Sequence, residues 1–206
     1  MDSGAPLGLL QGVRILSFTQ FLLGPAGVQY LADMGADVIK IEPPGGRLFE
    51  RNWAGCDQFL NGVSTFFLCA HRNQRSLTLD LKRPEGIEVA KRLIAEADVL
   101  VQNFRPGVMA RLGLGYEDVA PLNPRLIYVS GSGYGEGSVY RDRPGQDLLI
   151  QAMSGLASIS GRAGQPPTAV GGPVVDQHGA ALLAMGVLAA LFDRTRTGKG
   201  QKVEVT

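Results

Sequence analysis

Length, composition and charge narrow the classes of protein to which this chain can belong. The chain has 206 residues, of which 45% are hydrophobic and 19% are charged, and its formal net charge is +1. This length suits one large domain with a substantial core. The balanced charge argues against a protein that attracts nucleic acid or an anionic membrane through its overall field.

Cysteine usage and the first residues indicate a cytoplasmic protein. The two cysteines, Cys56 and Cys69, fit neither a metal motif nor a disulfide scaffold, so we expect reduced thiols. The opening sequence lacks the pattern of a signal peptide. The apolar stretch Ala180–Phe192 is interrupted by glycine, which favours a buried helix over a membrane span.

The first 42 residues predict a strand, a helix and a second strand. Val13–Phe18 is a short apolar run typical of a strand, and Gly24–Gly27 predicts a loop. Val28–Met34 predicts a helix closed by Gly35, and Asp37–Glu42 predicts the next strand. This order predicts parallel strands joined by a right-handed crossover.

The same alternation continues to residue 130. Further strands are predicted at Ser76–Leu81, Val99–Asn103 and Leu126–Ser130, and helices at Glu85–Ala97, preceded by Pro84, and at Pro106–Leu112. Strands that alternate with helices predict an α/β fold with a doubly wound parallel sheet.

The last third of the chain is richer in glycine and ends in a long apolar helix. A polar, glycine-rich connection over Gly131–Asp147 leads into a helix predicted over Asp147–Ala157, and Gly161–Pro173 predicts a second loop. Asp176–Thr195 predicts an almost wholly apolar helix, and Lys202–Thr206 begins a predicted strand.

Nucleotide, hydrolase and metal motifs are not found in the sequence. The glycines that follow Ser130 do not have the G-x-G-x-x-G spacing, so a flexible loop is favoured over a dinucleotide site. There is no P-loop and no G-x-S-x-G elbow. The two histidines, His71 and His178, have no metal-binding spacing, and no metal site is predicted. On a helix, His178 would lie on nearly the opposite face from Asp176.

Asp176 is the candidate for chemistry because it is a lone carboxylate at the start of the apolar helix. An N-terminal cap is the commoner role for an aspartate at such a position. A helix N-terminus also offers N–H groups and a positive dipole, which would hold the carboxylate ionised. An ionised, positioned carboxylate is what a covalent nucleophile requires, so the residues alone leave both roles open.

Seven segments, in order and with matching spacing, together resemble the opening half of class III CoA-transferases. They are Leu10–Leu16, Gly24-Pro25, Gly35–Glu42, Arg75–Lys82, Asn103–Gly107, Asn123–Tyr128 and Arg196–Gln201. The resemblance implies a Rossmann-like doubly wound sheet, with residues 1–206 as the N-terminal portion of the large domain. The family's small domain and the C-terminal return of its chain are not in this sequence. For the full-length protein the resemblance implies a homodimer whose two chains interlock.

The same resemblance implies a mechanism and a set of site residues. Asp176 stands at the position of the catalytic aspartate, which would exchange CoA between an acyl-CoA and a carboxylic acid through covalent intermediates. The CoA thioester is a substrate, and no prosthetic group is implied. By family position, CoA would be contacted by Leu79, Lys82, Asn103, Phe104, Arg105 and Arg111. The substrate pocket would include Leu22, Trp53 and Asp147.

Departures from the family pattern bear on the substrate and on the alternatives. Leu22 replaces a glutamine of formyl-CoA transferase, which argues for an acyl group larger or more apolar than formyl or oxalyl. α-Methylacyl-CoA racemase shares the fold and the Asp176 position, but it needs a histidine base where this chain has Gln146. A non-catalytic CoA-binding fragment is the other alternative.

Overall fold

The computed structural model describes residues 8–206. Residues 1–7 belong to the predicted 1–206 domain and to the stretch expected to lack a signal peptide. At these seven positions, both expectations concern residues that the structure does not describe.

A six-stranded parallel sheet is the centre of the fold. The strands in chain order are β1 (Arg14–Phe18), β2 (Asp37–Glu42), β3 (Phe59–Leu60), β4 (Val63–Ser64), β5 (Arg75–Thr78), β6 (Val99–Gln102), β7 (Ile127–Gly131) and β8 (Lys202–Val205). The sheet has the order β5-β2-β1-β6-β7-β8, while β3 and β4 form a separate antiparallel hairpin.

Helices cover both faces of this sheet. They are α1 (Leu23–Asp33), α2 (Phe49–Asn52), α3 (Thr65–Ala70), α4 (Pro84–Glu96), α5 (Val108–Arg111), α6 (Tyr116–Val119), α7 (Asp147–Met153), α8 (Leu156–Ile159) and α9 (Val174–Thr197), with a 3-10 turn at Gly55–Asp57. The predicted α/β class and doubly wound parallel sheet are confirmed.

The alternation of side chains along each strand divides the core into two apolar layers. In β1, Ile15 packs with the layer that contains α1 and α9, whereas Leu16 packs with the layer that contains α4. In β6, Val99 and Leu100 divide in the same way. Strands buried on both faces are therefore nearly continuous apolar runs, which is why the sequence marks them clearly.

The strand order reverses between β1 and β6. From β1 the chain moves outward through β2 to β5, then returns to β6 on the other side of β1 and continues to β7 and β8. In open α/β sheets, ligands bind in the crevice at the carboxyl ends of the strands at such a switch point. Here Gln20 and Asn103 join the two loops at that edge: the Gln20 N–H donates to Asn103 Oδ1, and Asn103 Nδ2 donates to the Gln20 carbonyl, both at 2.8 Å.

The expected loop at Gly24–Gly27 is wrong, because α1 begins at Leu23 and includes all four residues. A Cβ atom at Gly27 would lie 2.9 Å from the Ala180 carbonyl oxygen, so glycine is required there for α1 to pack closely on α9. Pro25 lies in the first turn, where a missing N–H costs no helical hydrogen bond.

Other boundaries also differ from the sequence expectations. The helix predicted over residues 147–157 is two helices, α7 and α8, separated at Gly155, which has a left-handed φ of 85°. The helix predicted over residues 106–112 is shortened to α5. Residues 43–74, for which the sequence predicted no element, form α2, the β3–β4 hairpin and α3.

Helix α9 is long and apolar enough to cross a bilayer by length and composition alone. One such helix is weak evidence for a span, since a core helix passes the same test. Leu183 and Val187 on α9 are fully buried against α1 and the sheet, which is the packing of a core helix.

Candidate active site

A cavity of about 840 Å³ opens at the carboxyl ends of the strands, at the switch point between β1 and β6. Its walls come from residues that follow β1, β6 and β7, from the connection before α7, and from the first turns of α9. The chain therefore brings segments from its beginning, middle and end to one crevice, as the topology predicts.

Seven of the ten candidate residues line this cavity. They are Leu22, Trp53, Asn103, Phe104, Arg105, Asp147 and Asp176. Leu79, Lys82 and Arg111 do not line it. Lys82 and Arg111 are exposed, and Leu79, like Phe104, is partly buried against the α4 core layer. The roles of all ten residues stay predictions.

The N-terminus of α9 is capped by Asp147, which is contributed by α7. The backbone N–H groups of Val175 and Asp176 donate to Asp147 Oδ2 at 2.8 and 2.9 Å. Gln151 Nε2 donates to Asp147 Oδ1 at 2.5 Å and so holds the capping carboxylate in place. The capping role that the sequence left open for Asp176 is therefore performed by Asp147.

The carboxylate of Asp176 is left without such support. Asp176 is half-buried, and no described residue donates a hydrogen bond to its carboxylate. Burial, together with the negative charge of Asp147, raises the pKa of Asp176 from 3.8 to about 6. We expected the helix N-terminus to stabilise the ionised carboxylate and so to lower its pKa. This expectation is wrong, because Asp147 accepts the hydrogen bonds of the first N–H groups and adds a like charge. At neutral pH Asp176 is still mostly ionised, and it is more basic than an ordinary aspartate.

His178 also lines the cavity, two residues after Asp176. The sequence predicted that it lies on nearly the opposite helix face from Asp176, yet both residues line the cavity. Gln146 lines the cavity as well. Among residues 8–206, no group of three or more His, Cys, Asp and Glu side chains could hold a metal ion.

Sequence reasoning missed two cationic residues in the cavity wall, Arg141 and Arg143. The Arg143 guanidinium lies 4.5 Å from the Tyr140 ring centroid, and Arg141 is 3.6 Å from the Asp142 carboxylate in an exposed pair. Both lie in the connection that the sequence treated as a flexible loop. The sequence feature that could have indicated them is the presence of two arginines within three positions, because such a pair suits a bound phosphate.

A cluster of four aromatic rings stands at one side of the cavity and was also missed, apart from Trp53. Its members are Phe21, Phe49, Trp53 and Phe66. Phe21 stacks on Phe49 with a centroid distance of 5.4 Å, and Trp53 meets Phe66 edge-on at 5.1 Å. Phe21, Trp53 and Phe66 line the cavity.

Comparisons with known proteins place these features in a family. The family described as CoA-transferase family III matches residues 10–206. Succinyl-CoA–D-citramalate CoA-transferase of Chloroflexus aurantiacus is 41% identical over 205 residues, which is 100% of this chain and 50% of that protein. Formyl-CoA:oxalate CoA-transferase of Rhodopseudomonas palustris is 43% identical over 195 residues, or 94% of this chain and 45% of that protein.

Solved structures agree with the sequence comparisons. A CAIB/BAIF family protein from Brucella suis superposes with a TM-score of 0.90 at 36% identity, covering 96% of this chain and 52% of that one. The chain thus spans about half the length of the relatives that it matches. A family match over residues 10–206, joined to the Asp176 cavity at the switch point, shows that this chain belongs to CoA-transferase family III.

Proposed function

We propose that the full-length protein transfers CoA from an acyl-CoA thioester to a carboxylic acid, with Asp176 as the covalent nucleophile. The observation that carries this proposal is the state of the Asp176 carboxylate. It faces a cavity at the switch point, receives no hydrogen bond from a described residue, and has a pKa raised to about 6. An aspartate that caps a helix accepts hydrogen bonds from the N–H groups of its first turn. At α9 these bonds are made by Asp147, so Asp176 is not needed as a cap.

The chemistry follows from a carboxylate facing a thioester. A carboxylate oxygen of Asp176 attacks the thioester carbonyl carbon, the C–S bond breaks, and the acyl group remains on Asp176 as a mixed anhydride while CoA leaves as a thiolate. The thiolate then attacks the Asp176 carbonyl carbon, releasing the first acid as a carboxylate and leaving an aspartyl-CoA thioester. The acceptor carboxylate reverses these two steps, so no net proton is consumed. Thiolate is a good leaving group, and backbone N–H groups of the wall are expected to hold each developing oxyanion.

CoA is proposed to enter along the wall that follows β6. Asn103, Phe104 and Arg105 line the cavity there, and Arg141 and Arg143 add two guanidinium groups that suit the phosphates of CoA. A homodimer of interlocked full-length chains and a cytoplasmic location stay predictions, the first from the family resemblance and the second from cysteine usage.

Proton transfer at the α-carbon of an acyl-CoA is the second candidate. Gln146, at the position where a racemase has a histidine, lines the cavity and cannot act as a base. His178 lines the same cavity beside Asp176, however, and an imidazole could serve as the second base. The transferase is favoured because family III relatives are named for CoA transfer.

Trapping the intermediate separates the two activities. Full-length protein is incubated with an acyl-CoA and hydroxylamine, digested and examined by mass spectrometry. We expect a hydroxamate on the peptide that contains Asp176, lost in Asp176→Asn and kept in the control Asp57→Asn, since Asp57 is exposed and does not line the cavity. Deuterium incorporation at the α-carbon with no modified peptide would instead support proton transfer and contradict the covalent mechanism.

A further inference from the structure

The four rings Phe21, Phe49, Trp53 and Phe66, hereafter the aromatic wall, form a continuous set of contacts. Phe21 lies in contact with the other three, at centroid distances of 5.4 Å to Phe49, 6.1 Å to Trp53 and 5.5 Å to Phe66. Phe21 and Trp53 are nevertheless 38% and 40% exposed. Both residues line the cavity that also contains Asp176.

Phe21 holds an unusual backbone conformation at the centre of this wall. Its φ of 66° is in the left-handed region, which a residue with a Cβ rarely adopts outside a constrained site. The conformation is fixed by Glu50, whose Oε1 accepts a hydrogen bond from the Phe21 N–H at 2.6 Å. Glu50 is fully buried in α2, between the wall residues Phe49 and Trp53 in sequence. One buried carboxylate therefore ties the loop that carries Phe21 to the segment that carries its partners.

Three cations close to the aromatic wall in sequence, Lys40, Arg47 and Arg51, do not line the cavity. Arg51 makes two hydrogen bonds to Glu42, at 2.6 and 2.7 Å, and lies 4.0 Å over the Phe67 ring. Lys40 is buried and donates to the Thr19 carbonyl at 2.7 Å. A second carboxylate on the substrate, as in the oxalate or citramalate of the relatives' names, would meet ring faces on this side of the cavity. Ring faces instead favour an aromatic or branched apolar group, which loses no hydrogen bonds when it leaves water.

Resting on the CoA transfer proposed above, we propose that the aromatic wall binds an aromatic or bulky apolar group of the transferred acid. Phe21 is the specificity-determining residue of this subsite. Glu50 is a positioning residue, because it contacts the Phe21 backbone and acts on the substrate only through the Phe21 ring.

An interface between protein chains is the competing use of the same rings. Phe49 is 48% exposed but does not line the cavity, and Leu60 of the β3–β4 hairpin is 60% exposed nearby in sequence. The substrate role is favoured because three of the four rings face the cavity of Asp176.

Tryptophan fluorescence tests the subsite without requiring turnover, since Trp53 is the only tryptophan of the 206-residue chain. The chain is titrated with 3-phenylpropionate and, separately, with succinate, while Trp53 emission is followed. We expect saturable binding of 3-phenylpropionate, about tenfold tighter than that of succinate. Equal or tighter binding of succinate, or no response to either acid, would overturn the proposal. So would an emission change that follows protein concentration instead of ligand, which is the outcome expected of an interface.

Phe21→Gly is the decisive variant, because glycine accepts the left-handed backbone and removes only the ring. We expect it to weaken 3-phenylpropionate binding about three- to tenfold and to leave succinate unchanged. Phe59→Ala is the matched control, since Phe59 is similarly exposed at 43% but does not line the cavity. If the two variants weaken binding equally, Phe21 does not determine specificity.

The positioning role of Glu50 has its own readout in the full-length enzyme. The ratio of kcat/KM for a phenylalkyl acceptor acid to that for succinate should fall in Glu50→Leu and return in Glu50→Gln, which keeps the acceptor oxygen. In the Phe21→Gly background, Glu50→Leu should change that ratio no further; an undiminished effect there would show that Glu50 acts independently of Phe21. If transfer proceeds but prefers succinate, the subsite proposal fails and the proposed function stands. If Trp53 emission shows binding of aromatic acids but no CoA transfer occurs, the proposed function fails and the subsite proposal stands.

Discussion

Replacement of Asp176 by asparagine should make the folded chain more stable at neutral pH while abolishing transfer. The pKa of Asp176 rises from 3.8 to about 6 on folding, first because of burial and then because of the charge on Asp147. The folded state therefore holds the proton more tightly than the unfolded state, and ionisation above pH 6 costs stability. Asparagine keeps the size of the side chain and never ionises, so it removes this cost.

The size of the gain follows from the pKa shift. A shift of this extent corresponds to about 3 kcal/mol for a group fully withdrawn from water. Because solvent still reaches part of the Asp176 side chain, we expect about 1–2 kcal/mol in the free energy of unfolding. The gain should be absent below about pH 3, where Asp176 is protonated in both the folded and the unfolded state. It should increase as the pH rises from about 3.8 to 6 and remain constant well above pH 6.

Urea unfolding followed by circular dichroism at a series of pH values measures this difference directly. Asp142→Asn is the control, since Asp142 is exposed in the same connection as the cavity arginines. An Asp176→Asn protein that is no more stable than the wild type at pH 7.5 would refute the raised pKa. A difference that is equal at pH 4 and pH 7.5 would also refute it, because only titration makes the gain depend on pH.

Three further predictions concern the residues that support this site. Asp147→Ala should lower the free energy of unfolding by about 1 kcal/mol through loss of the α9 cap. Asp147→Asn should lose less stability and should lower the pKa of Asp176. The lower pKa would be measured as a shift of the acidic limb of the pH–rate profile to lower pH. Gly27→Ala should destabilise the chain by about 1–3 kcal/mol in thermal or urea unfolding, because its Cβ would overlap the Ala180 carbonyl; Gly137→Ala, with no atom within 4 Å of its Cβ, should not. Burial lowers the pKa of His71 from 6.5 to about 3, so its contribution to stability is present above pH 6.5 and is lost as the pH falls toward 3. In His71→Phe, the free energy of unfolding should therefore depend less steeply on pH between 6.5 and 3. An unchanged slope would show that His71 does not govern this pH dependence.

The sheet could be predicted from the sequence because its strands are buried on both faces. Val99–Gln102 and Ile127–Gly131 are apolar or small almost throughout, and the predicted strands there agree with the structure within one residue at each end. The helical conformation of Gly24–Gly27 could not be predicted from these residues and their neighbours in sequence, because glycine and proline usually interrupt helices. Within the helix, Gly27 is required by the close approach of the Ala180 carbonyl, which is distant in sequence.

Seven of the ten predicted site residues line one cavity, but the sequence did not predict the electrostatics of that cavity. Family resemblance supplied Asp176, but no local pattern shows that Asp147, on a separate helix, takes the N–H groups of α9. Likewise, nothing near Phe21 in sequence indicates a left-handed backbone, because the carboxylate that fixes it is Glu50 of α2. Both arrangements depend on contacts between elements, which periodicity and propensity do not encode.

The carboxylates of Asp147, on α7, and Asp176, on α9, meet at the start of α9, but only that of Asp147 accepts hydrogen bonds from helix N–H groups. A carboxylate bonded to helix N–H groups is stabilised as an anion, which makes it a weak nucleophile; Asp147 has these bonds and Asp176 does not. In the proposed mechanism, acylation of Asp176 would move its negative charge to the departing thiolate and so would relieve the repulsion from Asp147 as the anhydride forms. An interaction that is unfavourable in the ground state and weaker in the transition state lowers the barrier. We therefore expect Asp147 to favour the covalent steps through the same charge that raises the pKa of its neighbour, so that Asp147→Asn slows acylation even where the α9 cap is kept.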